Sequence, residues 1–381
     1  MRITIVMGFF LPVPPVAGGA MEKMWWRLGR AYARRGHEVT IISRRWPGSP
    51  RTEAVDGVRL IRIDGWDQRR RLWQNLVLDA FWGWRVLRRL PPGDILVTNT
   101  VALPVFIRRL RPDAGLLVIN LNRFPKGQVR WYGGAARVQA ASEAIAAAVR
   151  VQAPARAPVV RVVPNPVDCA TFAPPAVRTA RRGPFTIGYL GRLHPEKGLA
   201  TLVAAAGGLA ARPDLPPWRI VLRGPADVSR GGGGEGFVET LRAAAPALWA
   251  EGRISIHPPL LDPAELAGAY HGLDAFCYPT VAERGEAQPI AVLEAMAAAR
   301  PIVATDLACF ADHLRPGVTA LLVPPGDAGA LADALVRLIG DAELGRRLGA
   351  AALQRVQALD DARIVDQHLA DYEALLDAAS R

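Results

Sequence analysis

Lysine is nearly absent from this chain. Of its 47 basic side chains only Lys23, Lys126 and Lys197 are lysine, so a lysine at a given place is less of an accident than an arginine. Cysteine is scarce as well. Cys169, Cys277 and Cys309 are odd in number and far apart, which argues against a disulfide framework and for a reduced, cytoplasmic setting. No apolar stretch reaches the ~18 residues of a membrane-spanning helix. The short apolar start MRITIVMGFF reads as a first strand, because a loop, a helix and the strand VTIIS follow at once. None of the six histidines pairs with another ligand at metal-site spacing, and there is no Asp-x-Asp, so neither a metal nor a cofactor is expected. No Gly-x-Gly-x-x-Gly stands between a strand and a helix, which argues against a dinucleotide enzyme.

What is present points to two domains. At 381 residues the chain is too long for one ordinary core, and 50% hydrophobic with 22% charged residues is the balance of a soluble globular protein. Short runs rich in Val, Ile and Leu alternate with helix-length segments. ITIVM, VTIIS, VRLIRI, ILVTN, LLVINL and VVRVVPN mark the first half; TIGYLG, WRIVLRG, ISIHPP, AFCYPT, PIVAT and ALLVPP mark the second. Runs without strict alternation are strands covered on both faces, so the fold class is α/β with two Rossmann-like, doubly wound parallel sheets facing across a cleft. The pattern restarts near residue 184, after the linker-like FAPPAVRTARRGP. The expected divisions are residues 1–175, residues 176–360, and a last helix over 361–381 that packs back on the first domain. The glycine-rich SRGGGGEGF (229–237) lies well beyond the strand WRIVL and reads as a flexible surface loop.

Two stretches of the second half carry chemistry. In IGYLGRLHPEKG (187–198) a strand runs into Gly191, then Arg192 and Lys197, then a helix. Glycine allows close backbone approach and a helix start favours anions, so the two cations make a candidate diphosphate clamp; two surface cations near a turn would look the same. In ERGEAQPIAVLEAMAAARPIVATD (283–306) Glu294 sits inside an apolar helix and Glu286 in the loop before it, with Pro289 marking the first helical position. A buried carboxylate needs hydrogen-bond donors, and the vicinal hydroxyls of a ribose would supply them; a solvent-facing Glu294 is the alternative.

The order of these stretches along almost the whole chain resembles the GT-B glycosyltransferases, in particular the retaining, nucleotide-sugar-dependent family 4. The resemblance is carried by AGGAMEKMWWRLGRAYARRGHEVTII, VVPNPVDCATF, GRLHPEKG, LLDPAELAGAYHGLDAFCYPT, EAQPIAVLEAMA with its Glu-x7-Glu spacing, and PIVATD…LLVPPGD. It implies transfer of a hexosyl unit from a UDP- or GDP-sugar to a glycan or lipid-linked acceptor, as in cell-surface polysaccharide synthesis, without metal. It further implies that Glu294 holds the ribose hydroxyls, Glu286 lies near the donor sugar, and Arg192 and Lys197 neutralise the departing diphosphate. Gly18, Gly19 and Gly191 would let backbone approach the donor. Ala287, Gln288, Pro289 and Ile290 would line its sugar and phosphates, and Pro258 its base. Glu22, Asn120 and Asn122 would serve the acceptor. The chain departs from the family in having Ala287-Gln288-Pro289 after the first glutamate, Ala308-Cys309-Phe310-Ala311-Asp312 after PIVATD, and Asn120-Leu121-Asn122 where a histidine is common.

Charge is unevenly spread. Residues 1–180 carry 28 Lys/Arg against 11 Asp/Glu, a net of +17, and eight of the ten tryptophans; residues 181–381 carry 19 against 24, a net of −5. An anionic partner for the first half is one explanation, and solvated arginines of an arginine-rich protein are another. RRRLWQNLVLDAFWGWRVLRRL (69–90) has a helical apolar stripe of Leu72, Trp73, Leu76, Val77, Ala80, Phe81, Trp84 and Leu87. Arg69, Arg70 and Arg71 stand at its start, against the helix dipole. The stripe fits either a core helix or a face that rests, peripherally, on an anionic membrane. A sugar-nucleotide epimerase on the same fold and a basic nucleic-acid-binding protein are the rival functions. No nucleic-acid module is recognisable, so no nucleic-acid partner is expected.

Overall fold

The computed structural model describes residues 1–69, 71–175 and 183–381, so Arg70 and the middle of the expected linker lie outside the described residues. Two compact units emerge, Met1–Pro166 with Asp361–Arg381, and Val167–Asp360. Residues 167–175, expected in the first domain, therefore belong to the second unit. The reason is local packing: the Phe172 ring meets Tyr270 edge-on at 5.7 Å, and the Val167 N–H donates to the Leu359 carbonyl at 3.0 Å.

The first unit contains β1 (Arg2–Val6), α1 (Ala20–Arg34), β2 (Glu38–Arg44), β3 (Thr52–Val55), β4 (Val58–Ile63), α2 (Leu72–Leu87), β5 (Ile95–Thr98), α3 (Leu103–Leu110), β6 (Leu116–Leu121), β7 (Ala135–Ala140), α4 (Glu143–Gln152) and β8 (Val160–Val162). The strands form one sheet in the order β3-β4-β2-β1-β5-β6-β7-β8. All neighbours are parallel except β3, which returns antiparallel along β4 through Asp56-Gly57, both at positive φ. β3 and β7 were not among the expected strands. TEAV is a short edge strand, and AARVQA carries Arg137 and Gln139 where a buried strand usually has Val or Ile.

The amphipathic α1 buries Met24, Trp25, Leu28 and Tyr32, a 3.6-residue stripe. α2 faces the opposite way to a core-helix reading of its stripe. Asp79 accepts the Val101 and Ala102 N–H groups at 3.0 and 2.7 Å, and the Trp82 indole N–H donates to the Met7 carbonyl at 2.9 Å. These anchors turn Asp79, Trp82, Gly83, Val86 and Leu87 inward and leave Leu72, Trp73, Leu76, Val77, Phe81 and Trp84 exposed.

The second unit contains α5 (Cys169–Phe172), β9 (Phe185–Leu190), α6 (Leu199–Ala210), β10 (Trp218–Arg223), α7 (Glu235–Ala244), α8 (Pro246–Ala250), β11 (Ile254–His257), α9 (Pro263–His271), β12 (Ala275–Tyr278), α10 (Ile290–Ala297), β13 (Ile302–Thr305), β14 (Leu321–Val323), α11 (Ala328–Gly340) and α12 (Ala342–Val356). Its sheet is wholly parallel in the order β11-β10-β9-β12-β13-β14. The order reverses between β9 and β12, the switch point at which open α/β sheets hold ligands. Ile187, Tyr189, Ile220, Phe276, Val292 and Val303 belong to its buried core. The last helix, α13 (Asp361–Ala379), lies in the first unit. Tyr32 packs against His368 and Tyr372 there, and Arg137 pairs with Asp371 at 2.6 Å in a nearly buried ion pair. Among the described residues no helix is long and apolar enough to cross a membrane.

Candidate functional site

The turn after β9 and the loop after β12 meet at the switch point of the second unit. The contact depends on Gly198, which sits at φ 68° just before α6. A Cβ there would lie 1.8 Å from the Pro279 carbonyl oxygen, so any side chain would push the two segments apart. Tyr189 steadies the first segment by donating its hydroxyl to the Arg192 carbonyl at 2.9 Å.

Four charged side chains join across this contact. The Arg192 guanidinium donates to Glu196 Oε1 at 2.7 Å, Lys197 Nζ lies 3.8 Å from the same oxygen, and Lys197 pairs directly with Glu286. Lys197 is 7% exposed and Glu286 5% exposed, so this is a buried ion pair. Two more donors reach Glu286 Oε1, the hydroxyls of Thr280 at 2.9 Å and Tyr278 at 3.2 Å. Among the described residues Oε2 accepts no hydrogen bond, leaving one oxygen of a fixed carboxylate for a ligand. Burial works to raise the Glu196 carboxyl, but Lys197, Arg192 and His194 outweigh it and hold it below its ordinary value. Burial, and then the neighbouring Glu286, pushes the Tyr278 phenol far up, so it stays a donor.

Glu294 lies on α10 and is 8% exposed. Its Oε2 accepts the Tyr270 hydroxyl at 2.8 Å, and that hydroxyl also lies 3.0 Å from the Ala291 carbonyl. The apolar helix thus carries a buried carboxylate because α9 supplies a donor to it. Pro289 is the N-cap of α10 rather than its first residue, which is Ile290, so the expected start is one residue early. Ala287 and Gln288 are buried, while Pro289 and Ile290 are half-buried. Pro258 follows β11 at the sheet edge, and its carbonyl accepts from Arg223 at 3.0 Å; among the described residues no hydrogen bond ties it to the charged cluster. The expected flexible loop at 229–237 is in fact fastened to the turn after β9. Arg192 donates to the Gly231 carbonyl, and the Gly233 N–H donates to the Leu193 carbonyl at 2.8 Å.

In the first unit Gly18 and Gly19 lead into α1. A Cβ on Gly19 would fall 2.1 Å from Glu22 Oε2, so the glycine makes room for that carboxylate. Glu22 is 4% exposed and has no ion pair or side-chain donor among the described residues. Burial pushes its carboxyl up to about 7, against a smaller pull from its own backbone N–H. The Asn122 side-chain amide donates to Asn120 Oδ1 at the end of β6, and Asn122 Oδ1 is buried without a hydrogen-bond partner among the described residues.

The structure therefore brings Gly191, Arg192, Lys197 and Glu286 into one cluster, with Glu294 on the next helix. Reading the sequence missed Tyr270, Tyr278, Thr280 and Glu196. Only Glu196 had a local signal, lying four residues after Arg192. The three cysteines are buried and form no disulfide among the described residues, which also hold no group of three or more metal-type side chains.

Comparison with known proteins agrees with this layout. Residues 17–171 match the profile of Glycosyltransferase Family 4, and residues 184–341 that of Glycosyl transferases group 1. The phosphatidyl-myo-inositol mannosyltransferase of Mycobacterium leprae is 34% identical over 222 residues, covering 58% of this chain and 54% of that protein. The D-inositol 3-phosphate glycosyltransferase of Xylanimonas cellulosilytica is 27% identical over 386 residues, covering 88% of this chain and 86% of that protein. The chain spans about half the length of the mycobacterial relatives it matches. Among solved structures, sucrose-phosphate synthase from Thermosynechococcus elongatus superposes with a TM-score of 0.81 at 23% identity, over 99% of this chain and 100% of that one. The Anabaena protein HepE in complex with UDP-glucose gives 0.74 at 20% identity, over 98% and 100%. At such identities the likeness speaks for the fold.

Proposed function

This chain belongs to the GT-B glycosyltransferases of the family 4 type, and from that premise we propose that it moves a hexosyl unit from a UDP- or GDP-sugar to a hydroxyl of a glycan or lipid-linked acceptor, with retention and without a metal. The observation that carries the reading is the buried Lys197–Glu286 pair beside Arg192 at the sheet's switch point. Preorganised cations aimed at a leaving group act on the transition state, where charge develops, rather than on the ground state. Arg192 and Lys197 take the negative charge of the diphosphate as the anomeric C–O bond breaks. The leaving phosphate oxygen accepts the proton of the acceptor hydroxyl, which bonds to the same face of the sugar. The free Oε2 of Glu286 takes a donor-sugar hydroxyl, and Glu294, steadied by Tyr270, takes the ribose hydroxyls. Gly191, Ala287, Gln288, Pro289 and Ile290 supply the backbone and walls around the donor, and Pro258 the edge of the base site.

Gly18, Gly19, Glu22, Asn120 and Asn122 serve the acceptor and sugar side in this reading. The named activities of the relatives, on phosphatidyl-myo-inositol and on inositol 3-phosphate, favour an acceptor that carries phosphate. The excess of 28 cationic over 11 acidic side chains in residues 1–180 suits one.

The test is a thermal-shift panel with UDP, GDP, ADP and dTDP on the wild type and on Glu294→Ala. A nucleotide at a hundred times its dissociation constant adds about 2.7 kcal/mol to the folded state. One nucleotide should stabilise the wild type and leave the variant nearly unmoved. A wild type that responds to none of the four removes the nucleotide-sugar assignment.

A further inference from the structure

Resting on the donor-site reading above, we propose that Glu196 limits how tightly the site holds the freed nucleoside diphosphate. Its carboxylate neutralises the Arg192–Lys197 clamp, repels the product more than the intact donor, and so lets the product leave. Counted at formal charges, the ion pairs of this turn set two cations against two carboxylates among the described residues. Glu286 answers Lys197, and Glu196 answers Arg192. A clamp that serves affinity alone has no use for the second carboxylate.

Glu196 is built into the turn. Its N–H donates to His194 Nδ1 at 3.3 Å and its carbonyl accepts the Val281 N–H at 3.0 Å, so the backbone is tied on both sides. Its Oε1 accepts from Arg192 Nη2 at 2.7 Å and lies 3.8 Å from Lys197 Nζ. Arg192 Nη1 donates to the Gly231 carbonyl. Both arms of the guanidinium fork are therefore in use, and a bidentate phosphate contact has to displace one of them. His194 adds no third cation. Its Nδ1 accepts the Glu196 N–H, and burial, reinforced by Arg192 and Lys197, holds the ring below its ordinary value against the pull of Glu196. Burial works to raise the Glu196 carboxyl, but the two cations and His194 hold it below its ordinary value, so its negative charge is present at neutral pH.

The proposed reaction changes the charge that faces this carboxylate. Breaking the anomeric C–O bond leaves its electron pair on the terminal phosphate oxygen. The acceptor's proton lands there and then passes to solvent, because a terminal phosphate gives up its second proton at about pH 6. The freed diphosphate thus carries about one negative charge more than the donor did. A fixed carboxylate repels both, and the product more. The same repulsion takes back part of the pull that Arg192 and Lys197 exert on the leaving group. Glu196 therefore trades some stabilisation of the departing phosphate for its release.

The test is calorimetric titration of the whole protein with UDP, GDP, ADP and dTDP and with the matching monophosphates, on the wild type and on Glu196→Gln. Glutamine keeps an oxygen for Arg192 and removes the charge. The diphosphate that the wild type binds should bind the variant roughly tenfold tighter, the size of one screened unit charge near a protein surface. The matching monophosphate lacks the phosphate that meets the two cations in this reading, and its affinity should change by less than about twofold. The Glu196 side chain is 34% exposed, so the substitution opens no cavity, and an unchanged monophosphate affinity shows an intact site. A diphosphate bound equally or more weakly by the variant would overturn the proposal and leave Glu196 as an anchor for Arg192. Equal tightening of the monophosphate would overturn it as well, since the charge would not then act at the terminal phosphate. A wild type that binds none of the four diphosphates removes the donor reading itself, and this inference with it, which sets that failure apart from the other two.

Discussion

Glu286 in the second unit and Glu22 in the first are buried to nearly the same degree, 5% and 4% exposed, yet their surroundings differ completely. Three donors, one of them the Lys197 ammonium, converge on a single oxygen of Glu286. Among the described residues no side chain donates to Glu22, and burial pushes its carboxyl up to about 7. Burial penalises a charge in both places. A counter-charge offsets that penalty at Glu286, and protonation relieves it at Glu22. The difference separates two kinds of work: Glu286 fixes a cation, which in the proposed reaction meets the leaving group, while Glu22 near neutral pH can either donate to or accept from a hydroxyl.

The sharpest way to break this comparison is Lys197→Met. It leaves Glu286 buried without its counter-charge, which should cost about 3–5 kcal/mol of stability, and it removes the cation proposed to act in the transition state, worth roughly 2–4 kcal/mol of barrier in that reading. Urea unfolding and initial rates of transfer measure the two losses. Adding Glu286→Gln to Lys197→Met should restore most of the stability and none of the rate. A single variant that unfolds like the wild type would mean that the ion pair is not what keeps Glu286 in place.

Glu22→Gln tests the other half, and its effect should have the opposite sign. The folded-state carboxyl titrates near 7 against an ordinary 4.5. Between those values the unfolded state has already lost its proton and the folded state has not, so stability falls as pH rises and the penalty is complete above 7. The shift corresponds to about 3 kcal/mol. The glutamine variant should therefore be more stable than the wild type at pH 8, by up to that amount, and equal to it below pH 4.5. Equal stability at both pH values would show that Glu22 has a counter-charge after all.

How much of this was legible beforehand follows from the reach of each interaction. The alternating α/β pattern and the two sheets were readable, because Val- and Ile-rich runs recur at regular intervals. β7 was not, since AARVQA offers alanine, arginine and glutamine. The Asp56-Gly57 hairpin had a clear two-residue turn signal, but β3 beside it has only four residues. Arg192 and Lys197 share one turn because they are close in sequence, whereas Glu286 reaches Lys197 across 89 residues and Tyr270 reaches Glu294 across 24. Such pairings arise only when strands are placed side by side. The stripe on α2 was visible as a stripe. Its direction was decided by Asp79, a polar residue whose partners lie on the segment before α3.

A further contrast lies in two buried histidines, one per unit. His368 in α13 packs against Trp25, Tyr32 and Tyr372, and His313 lies against Phe310 with both ring nitrogens unpartnered. Burial pushes each down to about 3. Below the ordinary value of 6.5 the unfolded chain takes up a proton that the folded unit refuses, so stability falls as pH falls. Each histidine should contribute about 1.4 kcal/mol per pH unit between roughly 6 and 3. His368→Phe should flatten the acid limb of the first unit's unfolding and leave that of the second unit unchanged. If it flattens neither, protonation of this histidine does not limit acid stability.

The smallest expected effect isolates the hydroxyl that steadies Glu294. Tyr270→Phe keeps the ring, and with it the packing against Phe172 and Phe276. It removes one donor from a buried carboxylate, which should cost about 1–2 kcal/mol of stability. Tyr270 bonds to the carboxylate proposed to hold the ribose, so the same change should weaken nucleotide binding by roughly fivefold, which is about 1 kcal/mol. The tyrosine bonds to neither Arg192, Lys197 nor Glu286, so the transfer rate at saturating donor should stay close to that of the wild type. A higher KM for donor with an unchanged kcat would place Tyr270 as a positioning residue for the nucleotide. A lower kcat with an unchanged KM would instead mean that Glu294 acts on the reacting end of the donor, and the division of labour between the two glutamates would have to be reversed.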